Sequence, residues 1–311
     1  MKVFTTIVAI FFSFIMLEFL TRVMIDDGLN YEIEMLKYAN KLKKISNNPE
    51  VGIEHKKNIS AKLMGVQVDL DKNGFRYQKD QKVIEKNKKI LMIGDSMTFG
   101  WGAQSTFSNV LSDSNPNISV FNSAIGNTNT SMQIENFFQN FKDLYNYDVI
   151  VLNFFINDLE KIKIKEPTFY EKYSYFYTFF SNTINKTLIK FRLKENWNDF
   201  YSKSFEDEMF IRSTLDKILA LNNYCKEQNI KFVIHNIPEL RDLDSYKFNK
   251  ETKLIENFAK KYGIKFINSH IILKQYEEEK LWVTVKDPHA NDFAHKIIGQ
   301  YLSNSLKSIL N

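Results

Sequence analysis

Three side chains at opposite ends of this chain have the types needed for nucleophilic catalysis. Ser96 stands in the segment ILMIGDSMTFGWG, residues 90–102, and Asp287 and His289 stand two residues apart in KDPHAN, residues 286–291. A serine hydroxyl is a poor nucleophile at neutral pH, so it needs a base to accept its proton and a carboxylate to orient that base. The three residues therefore predict an acyl-transfer site, provided that the fold brings them together.

An apolar strand is predicted to deliver Ser96 to the edge of a sheet. Residues 90–93 form a continuous apolar run, and Gly94 then permits a sharp turn. In an open α/β sheet, ligands bind at the carboxyl ends of the strands, where turn and helix amides face developing negative charge. The alternative interpretation is that Asp95 and Ser96 only cap the following helix.

The second half of the predicted site lies on a loop. Pro288 disfavours a helix between Asp287 and His289, and Asn291 can cap the helix that follows. The alternative interpretation is a solvated turn that carries an exposed histidine.

Two further motifs follow apolar strands between these ends. In VFNSAIGNTNTS, residues 120–131, Gly126 can bring a backbone N–H close to a substrate oxygen. In YDVIVLNFFINDLEKI, residues 147–162, Asn157 can aim its side-chain amide at an oxyanion. The alternatives are an ordinary strand-to-helix turn for Gly126 and a helix cap for Asn157. Four motifs in this order, each at a strand end or an adjoining loop, favour a catalytic site.

The four motifs resemble those of the SGNH (GDSL-like) hydrolase family, over about residues 88–310. The resemblance implies that Ser96 is the nucleophile, that His289 is the general base, and that Asp287 orients it. It also implies an oxyanion hole made by the Ser96 and Gly126 amides and the Asn157 side chain.

Two departures from the family pattern are visible. Phe155 stands where the family usually has a glycine two residues before its asparagine, and the spacing from Asp287 to His289 is one residue shorter than the commonest form. We interpret both as variant local geometry that leaves the roles intact.

The order of elements predicts an α/β fold. Alternating strands and helices indicate a three-layer α/β/α domain with a parallel sheet of about five strands, and the family resemblance implies a flavodoxin-like arrangement. A chain of 311 residues that is 44% hydrophobic and 25% charged can form one main globular domain. The predicted division is an anchor at 1–25, a juxtamembrane segment at 26–87 and a catalytic domain at 88–311, with an aromatic-rich insertion at about 163–206.

Charge and cysteine content argue against several functions. The net charge of +5 is spread over scattered lysines without a basic stripe, so we expect no nucleic-acid partner. The sequence has no phosphate loop and no cysteine–histidine cluster, so we expect no metal and no cofactor. Cys225 is the only cysteine, and we expect it to be a buried small residue.

An apolar run at the N-terminus predicts a membrane anchor. Residues 3–17 contain only three polar side chains, and the helix can continue to Met24, with Glu18 and Arg22 spaced to pair near the membrane surface. About 20 residues suffice to span a bilayer. No small-residue cleavage site follows, which favours an uncleaved anchor over a signal peptide.

The flanking charges predict the orientation of this anchor. Lys2 and the amino terminus favour a cytoplasmic start, whereas Asp26 and Asp27 follow the span. We therefore expect a single-pass membrane protein whose catalytic domain lies on the extracytoplasmic side.

Two segments outside the four motifs have alternative interpretations. Asn73-Gly74-Phe75-Arg76 resembles a segment that membrane-anchored relatives of the family often carry, and Arg76 either touches a substrate anion or belongs to a turn that packs Phe75 on the core. The insertion can cover the cleft, rest on the membrane or pack in the core. Its Tyr170, Tyr173 and Tyr175 could stack on sugar rings.

Three classes of function fit these features. The leading one is a serine esterase or acyltransferase that acts on small O-acyl groups, most plausibly acetyl, of cell-envelope or extracellular glycans. The second is a lipase, lysophospholipase or thioesterase, with a lipid ester as the substrate. The third is a non-catalytic glycan-binding component of an envelope assembly.

Overall fold

A mixed eight-stranded sheet with helices on both faces forms the centre of the protein. The computed structural model describes residues 2–78 and 88–310. The predicted domain boundary at residue 87 and the end of the predicted juxtamembrane segment, 79–87, lie outside the described residues, as does Met1 of the predicted anchor.

The N-terminal quarter of the chain forms two helices and five short strands. They are α1 (Lys2–Leu20), a π-helical turn (Thr21–Ile25), α2 (Tyr31–Leu42), β1 (Lys43–Ile45), β2 (Ile53–His55), β3 (Ile59–Leu63), β4 (Val66–Leu70) and β5 (Arg76–Tyr77). β1 and β2 pair with each other, whereas β3, β4 and β5 join the central sheet as an antiparallel extension. The described part of the segment 26–87 therefore packs onto the main domain, which is why the sheet has more strands than the five predicted.

Five parallel strands make up the rest of the sheet. They are β6 (Lys88–Ile93), β7 (Ile118–Asn122), β8 (Val149–Phe154), β9 (Lys231–Asn236) and β10 (Lys265–Asn268). Their order across the sheet is β10-β9-β8-β6-β7. This is the flavodoxin-like order, with the first strand inside and the second beside it at one end. The predicted fold class is confirmed.

The remaining elements connect these strands. They are α3 (Ser96–Phe99), α4 (Phe107–Asp113), α5 (Thr130–Asn136), a π-helical turn (Phe137–Phe141), a 3₁₀ turn (Ile156–Leu159), α6 (Phe169–Tyr173), α7 (Tyr175–Lys190), α8 (Trp197–Ser204), α9 (Glu208–Glu227), α10 (Asn249–Lys261), α11 (His270–Leu273), a 3₁₀ turn (Glu278–Leu281), β11 (Trp282–Thr284), β12 (Asp287–Ala290) and α12 (Asp292–Leu310).

The central strands bury side chains on both faces of the sheet. Along β6, Ile90 and Met92 pack with α4 and α12, whereas Leu91 and Ile93 pack with α5, α9 and α10 on the other face. Because side chains alternate along a strand, an uninterrupted apolar run is what a strand covered on both faces requires. Cys225 is fully buried in the second cluster, as predicted.

The first helix and the α6–α7 part of the insertion stay outside this core, whereas Tyr201 and Phe205 at the end of the insertion pack against it. α1 has no buried residue, and Lys2–Ile25 is long and apolar enough to cross a membrane. α6 and α7 likewise have no buried residue, so the aromatic run of the insertion does not enter the core. α7 packs against α2 and against the C-terminal part of the first helix.

Candidate active site

Three of the five predicted site residues follow neighbouring strands. Ser96 comes after β6, Gly126 after β7 and Asn157 after β8, and β6 lies between the other two strands. The carboxyl ends of parallel strands meet at one edge of the sheet, so these residues are brought close together. Asp287 and His289 reach the same edge on β12, which precedes the last helix.

Ser96, His289 and Asp287 form a continuous chain of hydrogen bonds. The Ser96 Oγ lies 3.0 Å from the His289 Nε2, and the His289 Nδ1 lies 2.5 Å from the Asp287 Oδ1. An ionised carboxylate only accepts hydrogen bonds, so the Nδ1 carries the ring proton and the Nε2 accepts from Ser96. This is the arrangement in which a histidine can remove a proton from a serine hydroxyl.

The surroundings of His289 and Asp287 favour the charged form of both side chains. Burial opposes a positive charge on His289, but the carboxylates of Asp287, Asp95 and Glu239 together outweigh burial and raise the pKa of the imidazole. Burial likewise opposes ionisation of Asp287, but His289 and the Trp101 indole, whose Nε1 donates to the Asp287 Oδ2 at 2.9 Å, lower its pKa. An imidazolium formed during a reaction would therefore be stabilised.

The segment that carries Asp287 and His289 is a short strand, where a loop was predicted. β12 pairs with β11 in a small antiparallel hairpin, with Thr284 opposite Asp287. Pro288 is compatible with this pairing because a two-stranded ribbon leaves outward-facing backbone positions without a ladder partner. Asn291 caps α12 as predicted, because its Oδ1 accepts from the Ala294 amide at 3.0 Å.

The turn that presents Ser96 is held by a cap and by a buried arginine. The Asp95 Oδ1 accepts from the Met97 amide at 2.9 Å. The helix cap that was the alternative interpretation is therefore present, and it coexists with the contact between Ser96 and His289. Gly100 ends α3 after one turn with φ +82°, a conformation that favours glycine. Arg76 donates to the backbone carbonyls of residues 99, 100 and 103 from a buried position, which supports the structural interpretation of this side chain.

Ser96 and Asn157 can both donate toward an oxyanion. The Ser96 amide is the first of α3, so the helix offers it no acceptor. Asn157 lines the same cavity as Ser96, and its side chain hydrogen-bonds to the buried Asp95 carboxyl group. Its Oδ1 is buried without a partner within the described residues, so Asn157 does not act as the helix cap considered above.

Gly126 lies beside Ser96, but its amide is engaged. A methyl group on Gly126 would lie 3.4 Å from the Ser96 Cβ and 3.0 Å from the Tyr38 Cε1. The Gly126 amide donates to the Tyr38 Oη at 3.0 Å. The Tyr38 hydroxyl is in turn 2.7 Å from the Nε2 of His55, whose Nδ1 donates to the Gly74 carbonyl. An oxyanion could take the Gly126 amide only by displacing Tyr38.

Several residues around the triad were not predicted from the sequence. Tyr38 and Tyr31 both come from α2, and the Tyr31 ring stacks on His289 with centroids 6.0 Å apart and planes 24° apart. Trp101 fixes the orienting carboxylate. The one available signal was Trp101 itself, because it stands five residues after Ser96 and a buried indole N–H needs an acceptor.

The other histidines have structural surroundings. His235 is fully buried between Asn153 and Ser269, and burial lowers its pKa to about 3. His295 is also buried and accepts from the Phe107 amide. Over residues 2–78 and 88–310, no group of histidine, cysteine and acidic side chains is placed to hold a metal ion.

Ser96 lines a cavity of about 850 Å³. α2 and the loop that follows the first π-helical turn form one wall of the cavity. α7 contributes Phe179, Asn182 and Lys186 to another wall. Lys186 forms an ion pair with Glu32 of α2, which links the insertion to the juxtamembrane helix. The insertion therefore covers the cleft, whereas its Tyr170, Tyr173 and Tyr175 are not among the lining residues.

Comparison with known proteins gives similarity to solved structures only. No protein-family model and no curated protein matches the chain. A psychrotrophic esterase, EstA from Pseudoalteromonas sp., is 13% identical over 72% of this chain and 100% of its own, with a TM-score of 0.46. A member of the lipolytic protein G-D-S-L family from Veillonella parvula is 11% identical over 71% and 98%, with a TM-score of 0.44. The acetyl xylan esterase AlAXEase is 14% identical over 70% and 99%, with a TM-score of 0.43.

At identities this low, the similarity concerns the fold and not the substrate.

Proposed function

We propose that this protein is a serine esterase or acyltransferase that forms an acyl-enzyme at Ser96. The observation that carries the proposal is the hydrogen-bonded chain from Ser96 to His289 to Asp287, with distances of 3.0 and 2.5 Å, in the wall of a cavity. A serine, a histidine and a carboxylate in this geometry are the parts of a nucleophile and its base.

The geometry supports a two-step reaction. The Ser96 Oγ attacks the carbonyl carbon of an ester while its proton passes to the His289 Nε2. The Ser96 amide and the Asn157 side chain stabilise the oxyanion, and its collapse expels the alcohol, which takes the proton from His289. Water or a sugar hydroxyl then attacks the acyl-enzyme with His289 again as the base, which releases the acid or the transferred ester.

The lining of the cavity favours a small acyl group on a polar carrier, such as an O-acetylated glycan. Charged side chains line the cavity, among them Glu32, Lys186, Glu239, Arg241 and Lys286. A groove for a long acyl chain would instead present a continuous apolar surface, because each CH₂ group gains about 0.8 kcal/mol on burial. Walls in which these charged side chains alternate with the rings of Tyr31, Phe179 and Tyr201 suit a hydrated sugar.

The contacts of the first helix support a retained membrane anchor. The Glu18 carboxylate accepts from the Ser174 Oγ at 2.7 Å and from the Tyr175 and Phe176 amides at 3.0 Å each. Arg22 donates to the same carboxylate. Cleavage after the apolar run would remove the group that caps α7, the helix over the cavity. We infer a single-pass protein with its catalytic domain on the extracytoplasmic side.

The decisive test compares Ser96→Ala with Ser108→Ala. Ser108 is a buried serine whose hydroxyl has no hydrogen-bond partner among the described residues, so its loss controls for removal of a serine hydroxyl as such. Both variants are assayed on short acyl esters, long acyl esters and acetylated sugars. We expect Ser96→Ala to abolish turnover with unchanged folding, and a phosphonate probe to label the peptide that carries Ser96.

Each other outcome assigns a different function. If Ser96→Ala retained most of the wild-type turnover rate, the proposal would be overturned. A preference for long-chain esters would favour a lipase or thioesterase. Binding of glycans without turnover by the wild-type protein would favour a non-catalytic role.

The anchor is tested separately by extraction and protease access. We expect the full chain to stay with membranes in high salt and at alkaline pH, because burial of the apolar helix does not depend on electrostatic attraction. External protease should digest the domain while a cytosolic control stays intact. Protection of the domain would overturn the orientation.

A further inference from the structure

The insertion carries a cluster of exposed aromatic rings on the outer side of the fold. We call it the aromatic patch, and its residues are Phe169, Tyr170, Tyr173, Tyr177 and Phe180. Each of them is between 43% and 70% exposed. The ring of Phe169 contacts those of Tyr170 and Tyr173, with centroids 5.7 and 5.2 Å apart, and Tyr170 contacts Tyr177 at 6.4 Å. Exposed apolar clusters of this kind mark an interaction surface.

The aromatic patch is continuous with the exposed surface of α1. Phe180 stacks on Phe176 with centroids 5.5 Å apart, and Phe176 contacts Phe14 of α1 at 6.3 Å. Arg22 donates to the Tyr173 carbonyl at 2.8 Å, and its guanidinium lies 3.8 Å from the centre of the Tyr175 ring. Whatever surrounds the upper part of α1 therefore also reaches the aromatic patch.

The position of Glu18 fixes the depth of this contact in a membrane. A carboxylate paired with Arg22 belongs near the surface of a bilayer, since charge in the hydrocarbon core is costly. Phe14 stands four residues earlier on the helix, which is about 6 Å deeper at 1.5 Å per residue. Phe176, in contact with Phe14, then lies at the boundary between headgroups and hydrocarbon.

We propose that the aromatic patch is a membrane-docking surface that rests in the headgroup layer of the bilayer spanned by α1. The inference depends on the proposed anchor. Tyrosine and other aromatic rings favour this layer because they have an apolar body and, in tyrosine, a polar end. Lys172, whose Nζ lies 5.4 Å from the centre of the Tyr173 ring, can reach lipid phosphates, whereas Lys165 is paired with Glu171.

The docking surface sets the position of the cavity. α7 carries part of the aromatic patch on its first turns, and Phe179, Asn182 and Lys186 on the same helix cover the cavity. The loop that leaves the first helix, including Asp27 and Leu29, also lines the cavity. The cavity therefore opens next to the membrane surface, within reach of esters held there.

The test measures the depth of single nitroxide labels on the full chain in vesicles of phosphatidylethanolamine and phosphatidylglycerol. Labels are placed by Tyr170→Cys and Phe180→Cys in the aromatic patch, by Phe11→Cys in α1 and by Lys253→Cys on α10 as a water-exposed control. The native Cys225 is fully buried, and burial raises its pKa to about 12, so it does not compete for the label. Depth is reported by collisions with oxygen, which concentrates in lipid, relative to a nickel complex, which stays in water.

We expect the ratio of oxygen to nickel collisions at both patch positions to exceed that at Lys253→Cys severalfold and to lie below that at Phe11→Cys. Ratios equal to the Lys253→Cys control, with a lipid-like ratio at Phe11→Cys, would overturn the docking surface and leave the anchor standing. A water-like ratio at Phe11→Cys would overturn both. Unchanged circular dichroism of each labelled variant shows that the comparison concerns folded protein.

Discussion

The hydroxyl oxygen of Tyr38 lies 3.0 Å from the backbone nitrogen of Gly126 and accepts its hydrogen bond. Gly126 is the residue that the family resemblance assigns to the oxyanion hole. Tyr38 is fully buried and belongs to α2, the helix that follows the first helix in the chain. A residue of the juxtamembrane segment thus competes with substrate for a predicted donor.

Removal of this hydroxyl tests the competition. Tyr38→Phe deletes the acceptor of the Gly126 amide and leaves the His55 Nε2 without its donor, so we expect the free energy of unfolding to fall by about 1–3 kcal/mol. The rate constant kcat should stay within about tenfold of the wild-type value, because the freed amide can serve the oxyanion. Denaturant titration and steady-state kinetics measure the two effects. If kcat fell by much more than tenfold while the variant remained fully folded in the assay, Tyr38 would be needed to hold the Gly126 amide where it can donate to the oxyanion.

The second predicted donor is the Asn157 side-chain amide, which has two N–H groups and can keep its hydrogen bond to Asp95 while it donates to an oxyanion. Asn157→Ala should lower kcat by roughly a hundred- to a thousandfold with little change in KM, because the donor is used in the transition state. Asn182→Ala is the matched control, since it removes an asparagine from the α7 wall of the same cavity. An effect of Asn157→Ala on KM alone would make Asn157 a substrate-binding or structural residue.

The sequence was sufficient for the α/β fold class and for placing Ser96 and Asn157 at one edge of the sheet, because both depend on local patterns. The apolar runs that became β6, β7 and β8 identify buried parallel strands, and residues that follow such strands meet at one edge of the sheet. The motif order then placed Ser96 and Asn157 near each other without knowledge of any long-range contact.

The surroundings of the triad could not be predicted in the same way. Tyr31, Tyr38 and Trp101 act through contacts with residues far away in the chain, and nothing in the local pattern of α2 indicates its partner. The pairing of β5 with β7 through Arg76 is equally non-local, so the segment before the domain was not recognised as part of the sheet.

The pH dependence follows from the environment of His289. A general base works only when it is neutral, so activity is lost as the pH falls below its pKa. Asp287, Asp95 and Glu239 outweigh the effect of burial and raise this pKa. We therefore expect the midpoint of the acidic limb, in the pH profile of kcat/KM, to lie above 6.5, the ordinary pKa of histidine. Asp287→Asn should shift the limb to lower pH and reduce kcat by roughly three to four orders of magnitude. A limb that stays in place in Asp287→Asn would show that another group controls it.

The contact between Glu18 and α7 predicts that a change in the anchor loosens the helix over the cavity. Glu18→Gln keeps the shape of the side chain but removes the charge that accepts from the Tyr175 and Phe176 amides. A hydrogen bond to a charged group contributes about 1.5–3 kcal/mol, so exchange of these two amides should accelerate by roughly ten- to a hundredfold. Hydrogen exchange with mass spectrometry on the full chain measures this effect. Glu171→Gln is the matched control, because Glu171 accepts from the Thr168 amide at the start of α6 and, over residues 2–78 and 88–310, makes no hydrogen bond to the first amides of α7. Unchanged exchange at residues 175 and 176 in Glu18→Gln would mean that the Glu18 carboxylate does not stabilise the first turn of α7, and that the other contacts of α7 with α2 and the first helix hold it in place.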